Sequence, residues 1–224
     1  VDNAEAETEL LTLRRHEKDF LARQDTKYQA RFTQTYQNLS NRLINLEQKI
    51  KNHDLQLDNR TDVIVSTLEQ YKTTFDQLVA QVELIDSKSN EQSLVQQLAQ
   101  NRALLRDQVV SLNNLEAQVA LSELLEHDFH YLADTSEQTE LTLSESLQSF
   151  HQEFAYSYSL QASFNQYQDA LVNLFEANKV LGLTPNEGLR GELRNTVHLT
   201  EKEIMTLQGE IKSAVDIASD KVTI

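Results

Sequence analysis

The chain has 224 residues, with four Gly, one Pro and neither Cys nor Trp, and it carries a formal charge of -15. So little Gly and Pro leaves almost nothing for hairpins or tight crossovers and excludes a strand-rich fold. The acidic balance excludes nucleic acid and anionic lipid surfaces as partners.

Leu, Gln and Glu dominate, which is the composition of long helices. The first predicted helix is already under way in "DNAEAETELL" and runs to about residue 53, with Leu39, Leu43, Leu46 and Ile50 on its apolar stripe and a kink at Asp25-Thr26. Its early part holds an unbroken polar run, Arg14, Arg15, His16, Glu17, Lys18 and Asp19, beside a stripe of Leu10, Leu13, Glu17 and Phe20. A turn follows in "HDLQLDNRTD" (53–62), with Thr61 as N-cap. The second helix carries Ile64, Leu68, Tyr71, Phe75, Leu78, Val82 and Ile85 at alternating steps of four and three, the spacing of a bundle seam.

"DSKSNEQS" (86–93) has no apolar residue and ends that seam. Leu98, Leu105, Leu112 and Val119 recur at seven-residue steps as a further packed stripe, with a break expected at the paired Asn of "SLNNLE" (111–116) that ends the third helix. A fourth, kinked at Asp134-Thr135, runs to "YSYSLQAS" (156–163), and a fifth ends in "LGLTPNEG" (181–188). There Gly182 is read as a C-terminal cap, Thr184 as the next N-cap, Pro185 as the first helical residue and Glu187 as part of the first turn. The sixth helix opens with "GLRGELRNTVH" and runs through "IKSAVDIASDKVTI" with no stop signal, so the chain reads as a domain cut from a longer one.

The plan is written twice. Glu17, Asp19 and Phe20 recur as Glu126, Asp128 and Phe129, Asp25-Thr26 recurs as Asp134-Thr135, and "YKTTFDQLVAQVELI" (71–85) resembles "YQDALVNLFEANKVL" (167–181). At about 1.5 Å per residue, the first and fourth helices are long enough for shorter helices to pair with only half of each. The expected fold is all-α: six helices forming two stacked four-helix bundles that share two long helices, one bundle from residues 1–25 plus 135–224 and the other from 26–134. A single three- or four-helix bundle, or a spectrin-like coil, is the alternative.

Signals for catalysis are nearly absent: no Cys, no Gly-rich phosphate loop and no HExxH. An enzyme is not expected, nor is a cofactor. His127 and His130 stand near Glu126 and Asp128 without a third convincing ligand, so no metal site is expected. A different chemistry is suggested by Arg190, Arg194 and His198, which are spaced by four and line one face of the sixth helix. Gly188 and Gly191 cost about 1 kcal/mol each in a helix interior, which points to close packing or a bound group at that helix start. If Arg14, Arg15 and Lys18 face this row across a bundle interior, something anionic must lie between them. Glu17 or Glu192 could supply it as ion pairs, or a small carboxylate could be held by the arginines. The repeat lacks these cations, apart from Arg102 and Arg106, so one acid site is expected and not two.

The motifs "LRRHEKDFLAR" and "GLRGELRNTVH", with the duplicated three-helix plan, resemble the helical bimodular ligand-binding domain over essentially the whole chain. That domain is the periplasmic sensor of many bacterial methyl-accepting chemotaxis proteins and some sensor histidine kinases. The resemblance implies a homodimer in the periplasm, set between transmembrane helices and coupled to a cytoplasmic signalling domain. It implies a small organic acid in the membrane-proximal bundle, which would be residues 1–25 plus 135–224, with Arg14, Arg15, Lys18, Arg190, Arg194 and His198 at the matching ligand-binding positions. Two other readings stay open: a receptor that reads a ligand-loaded periplasmic binding protein, and a structural helical rod whose charges are solvated faces.

Overall fold

A computed structural model of the chain describes residues 2–53, 60–155 and 157–222, and among these every regular element is a helix. The described residues form eight helices: α1 Asp2–Arg23, α2 Lys27–Asn52, α3 Arg60–Ile85, α4 Leu94–Ser111, α5 Leu115–Ala133, α6 Glu137–Phe154, α7 Tyr158–Leu181 and α8 Gly188–Val222. None is long and apolar enough to cross a membrane.

The two extra helices arise where kinks were expected, because each Asp-Thr pair turns the chain back on itself. At the first, Gln24 takes a left-handed φ of 53° and the Asp25 carboxylate accepts the Lys27 N–H at 2.9 Å. Arg42 of α2 consequently reaches Glu5 and Glu9 of α1, holding the latter with Nη2 at 3.0 Å and Nε at 3.2 Å. Only an antiparallel hairpin brings those positions together. At the second, Ser136 and Thr139 form a reciprocal capping box that starts α6 after α5 has ended.

Other boundaries follow local chemistry. Ser93 and Asn114 accept hydrogen bonds from the Gln96 and Ala117 N–H groups and start α4 and α5. The break expected over 156–163 comes earlier, between Phe154 and Tyr158, with residue 156 outside the described residues. Most of the expected turn over 53–62 also lies outside them, and Thr61, expected as a cap, is a buried residue inside α3. Thr184 and Pro185 are not the cap and first residue of α8. They form a turn, closed by a hydrogen bond from the Glu187 N–H to the Thr184 carbonyl, and the helix starts at Gly188. Glycine is required there: φ is +57°, and a Cβ would sit 2.5 Å from the Val180 carbonyl oxygen. Its role is close backbone packing.

The helices divide into two compact units, Val1–Val79 with Leu189–Ile224, and Ala80–Gly188. The division expected at 26 and 134 would have cut through the α1–α2 and α5–α6 hairpins. Unit 1 is built from α1, α2, most of α3 and α8, and unit 2 from α4, α5, α6, α7 and the end of α3.

The duplication shows in the buried stripes, in a corrected register. Ala6, Leu10, Leu13 and Phe20 of α1 are buried with the spacing of Ala117, Leu121, Leu124 and Tyr131 of α5. Glu17 therefore corresponds to Asp128 and Phe20 to Tyr131, whereas Glu126 and Phe129, the partners read from the sequence, are exposed. Ile64, Leu68, Tyr71, Phe75 and Leu78 of α3 match Leu160, Phe164, Tyr167, Leu171 and Leu174 of α7. On the fourth helices, Leu193, Val197, Thr200 and Ile204 of α8 match Leu98, Arg102, Leu105 and Val109 of α4. Each three-helix run is thus completed by a helix that does not follow it directly in the repeat order.

Candidate functional site

The matched stripes place one polar layer in the interior of each unit. In unit 2 the layer is closed on itself. Asp128 on α5 is fully buried and is gripped by Arg102 on α4, with Nη2 to Oδ1 at 2.7 Å and Nε to Oδ2 at 3.0 Å. The Tyr167 hydroxyl on α7 donates to the same carboxylate at 2.5 Å, and the guanidinium lies over the Phe129 ring at 4.6 Å. Burial and the adjacent carboxylate push the Tyr167 phenol far above its usual range. With each oxygen bonded, this carboxylate is a structural joint.

Unit 1 keeps the tyrosine and the carboxylate but has Val197 in the position of Arg102. The Tyr71 hydroxyl donates to Glu17 Oε1 at 2.8 Å. Burial raises the Glu17 carboxyl above its ordinary value, against the opposing pull of the Tyr71 hydrogen bond and of Arg14 and Lys18. The nearby cation, Arg14, is turned to α8, where its Nη1 meets Glu201 Oε1 at 2.5 Å. His198 Nδ1 stands 3.7 Å from the other oxygen of Glu201. One carboxylate is therefore bonded to an arginine from α1 and has a histidine of its own helix, α8, nearby. Arg14 Nε is buried and makes no hydrogen bond. Beside the pair, His198, Glu201, Lys202, Met205 and Thr206 line an open groove of about 450 Å³.

Of the six residues expected to bind ligand, the structure brings Arg14 and His198 together, through Glu201. Arg15 and Lys18 are exposed on α1. Arg190 is half-buried and Arg194 exposed, one to two turns before His198 on α8. The carboxylate that meets Arg14 is Glu201, which was not among the anions expected there, while Glu17 feels Arg14 and Lys18 at longer range. Glu192 instead lines a separate polar groove between α3 and α8 with Thr73, Gln77 and Asn195. His16, inside the charged run, has its pKa lowered by burial and by Arg31. Among the described residues, no three His, Asp or Glu side chains converge as metal ligands would.

Two site features escaped the sequence reading. Arg102 and Asp128 both fall on buried four-and-three stripes, so their heptad positions were the available signal for an internal pair. Glu201 lies seven residues after Arg194, which puts it on nearly the same face as the predicted row. No family model matches the chain, and no curated protein matches it in sequence.

Proposed function

We propose that the chain is the periplasmic ligand-binding domain of a methyl-accepting chemotaxis receptor, and that it takes a small organic acid at the Arg14 cluster of unit 1. The observation that carries this reading is the half-buried Arg14, which already grips a carboxylate across two helices while its Nε is unsatisfied. Arginine presents a planar fork that suits carboxylates, and partial burial strengthens each bond. The two sequence motifs that resemble the helical bimodular domain supply Arg14 and His198, the residues found on either side of Glu201. The two-bundle form of that fold, a homodimeric assembly and flanking transmembrane helices belong to the same proposal.

An acid bound here shifts the domain between states only by its differential affinity for them. Because α1 and α8 both contribute to the cluster, their packing is the element such a ligand would bias. The test is a thermal-shift screen of C2 to C6 carboxylates, amines and amino acids against the wild type and Arg14→Ala, with calorimetry on any hit. An acid at a hundred times its dissociation constant should stabilise the wild type by about 2.7 kcal/mol and lose that effect in the variant. If nothing in the panel stabilises the wild type, the acid-sensor reading falls. The rod reading then gains ground, favoured by the internal partners that Arg14, Arg42 and Arg102 already have.

A further inference from the structure

From the geometry around Arg14 we infer that Glu201 sits where the carboxylate of the ligand will sit, so that the domain carries its own tethered competitor. The inference rests on the acid-sensor reading and names the event at its centre: a small carboxylate displaces Glu201 from Arg14.

Three observations converge on this exchange. First, Glu201 engages Arg14 through a single nitrogen, Nη1, at 2.5 Å, while Nε is buried without a partner. A guanidinium offers its best carboxylate contact along an edge that includes two N–H groups. The tethered side chain uses less of the fork than a free carboxylate can. Second, the same Glu201 faces His198 at 3.7 Å, so a carboxylate arriving in its place inherits a second donor on α8 whenever that imidazole is protonated. Third, Arg14 and Glu201 are each 29% exposed, and the Glu201 side adjoins an open groove. A released Glu201 can therefore turn into water without burying its charge.

The comparison between units supports the same view. In unit 2 the buried arginine spends its Nε and one terminal nitrogen on an aspartate with no exposure, and nothing there can exchange. In unit 1 the equivalent stripe position is Val197, the arginine has moved to α1, and its partner is half in water. Displacement also has a structural consequence. Arg14 and Glu201 are 187 residues apart in sequence and tie α1 to α8, so exchanging Glu201 for a ligand removes a cross-link between those helices.

A competitor that occupies the site most of the time weakens the apparent affinity by the fraction of molecules left open. If Arg14 is free in about one molecule in ten, removing the competitor tightens binding about tenfold. The experiment titrates the C2 to C6 carboxylate panel by calorimetry into the wild type, Glu201→Gln, Glu201→Ala and Glu210→Gln, each checked by far-UV circular dichroism and melting. Glu210→Gln removes a charge from the same helix at a carboxylate that pairs with Arg60 instead. It therefore controls for a general change in potential. Both Glu201 variants should bind the tightest-binding acid about tenfold more strongly than wild type, and Glu210→Gln should stay within twofold. Wild-type binding that is unchanged or weakened in both Glu201 variants overturns the inference and leaves the acid-sensor reading standing. Equal tightening in Glu210→Gln also overturns it. Absence of binding in every protein overturns both.

Discussion

Replacing Asp128 with alanine tests the joint on which unit 2 closes. The carboxylate accepts three hydrogen bonds, at 2.5, 2.7 and 3.0 Å, and has no solvent exposure. Its removal leaves the Arg102 guanidinium, only 10% exposed, without a counter-charge and the Tyr167 hydroxyl without an acceptor. Breaking a buried pair from one side costs about 3–5 kcal/mol, because an uncompensated charge is left in a poorly solvated place. The contact of Arg102 with the Phe129 face exists before and after the change and offsets little of this. The assay is urea unfolding followed by tyrosine fluorescence and far-UV circular dichroism. A triple variant, Arg102→Met with Asp128→Leu and Tyr167→Phe, removes every polar member at once and should be far closer to wild type, since apolar replacements of similar volume are often neutral or stabilising. A loss below about 1 kcal/mol for Asp128→Ala would place the pair in the range of solvent-exposed ion pairs and refute the argument.

Glu17 gives a pH dependence of defined sign. Its folded-state pKa is raised, so the unfolded chain ionises first, and the contribution present below the ordinary value of 4.5 is lost as pH rises through the raised folded value. Glu17→Gln retains an acceptor for the Tyr71 hydroxyl and removes the titration; its melting temperature relative to wild type should increase from pH 4 to pH 8, and parallel profiles would contradict the assignment. Two glycine substitutions should diverge in the same melting assay. Gly182→Ala must hold φ at +112° with a Cβ 2.0 Å from the Glu187 carbonyl oxygen, so it destabilises by more than about 1 kcal/mol. Gly209→Ala meets nothing within 4 Å on α8 and stabilises by about 0.5–1 kcal/mol. Effects of the same sign would refute the contrast.

Periodicity in the sequence determined the helices and their buried faces. The four-and-three seam is buried from Ile64 to Val82, with Ile85 half-buried, and so is the stripe from Leu39 to Ile50. Leu112 and Val119, expected to continue the stripe of Leu98 and Leu105, are exposed because α4 ends at Ser111 and α5 starts a new face. Local signals also placed the Gly182 cap and the break at Asn113-Asn114, because a positive φ and an Asn cap are properties of a few adjacent residues. The chain reversals at 24–26 and 134–136 were present in the sequence as Asp-Thr pairs, but capping chemistry is common to a kink and a hairpin. The contacts of Arg42 with Glu5 and Glu9 distinguish the two at the first reversal. The two-residue correction in the repeat register has the same origin, since similarity aligned charged letters while burial aligns the core face. Tertiary structure alone decided which charges meet. Arg14 could face any of several carboxylates until α8 packed beside α1 and selected Glu201, and Arg102 drew Asp128 because both lie on stripes turned inward. Side-chain spacing fixes the face a residue occupies on its own helix, and the partner on that face is fixed by helix packing.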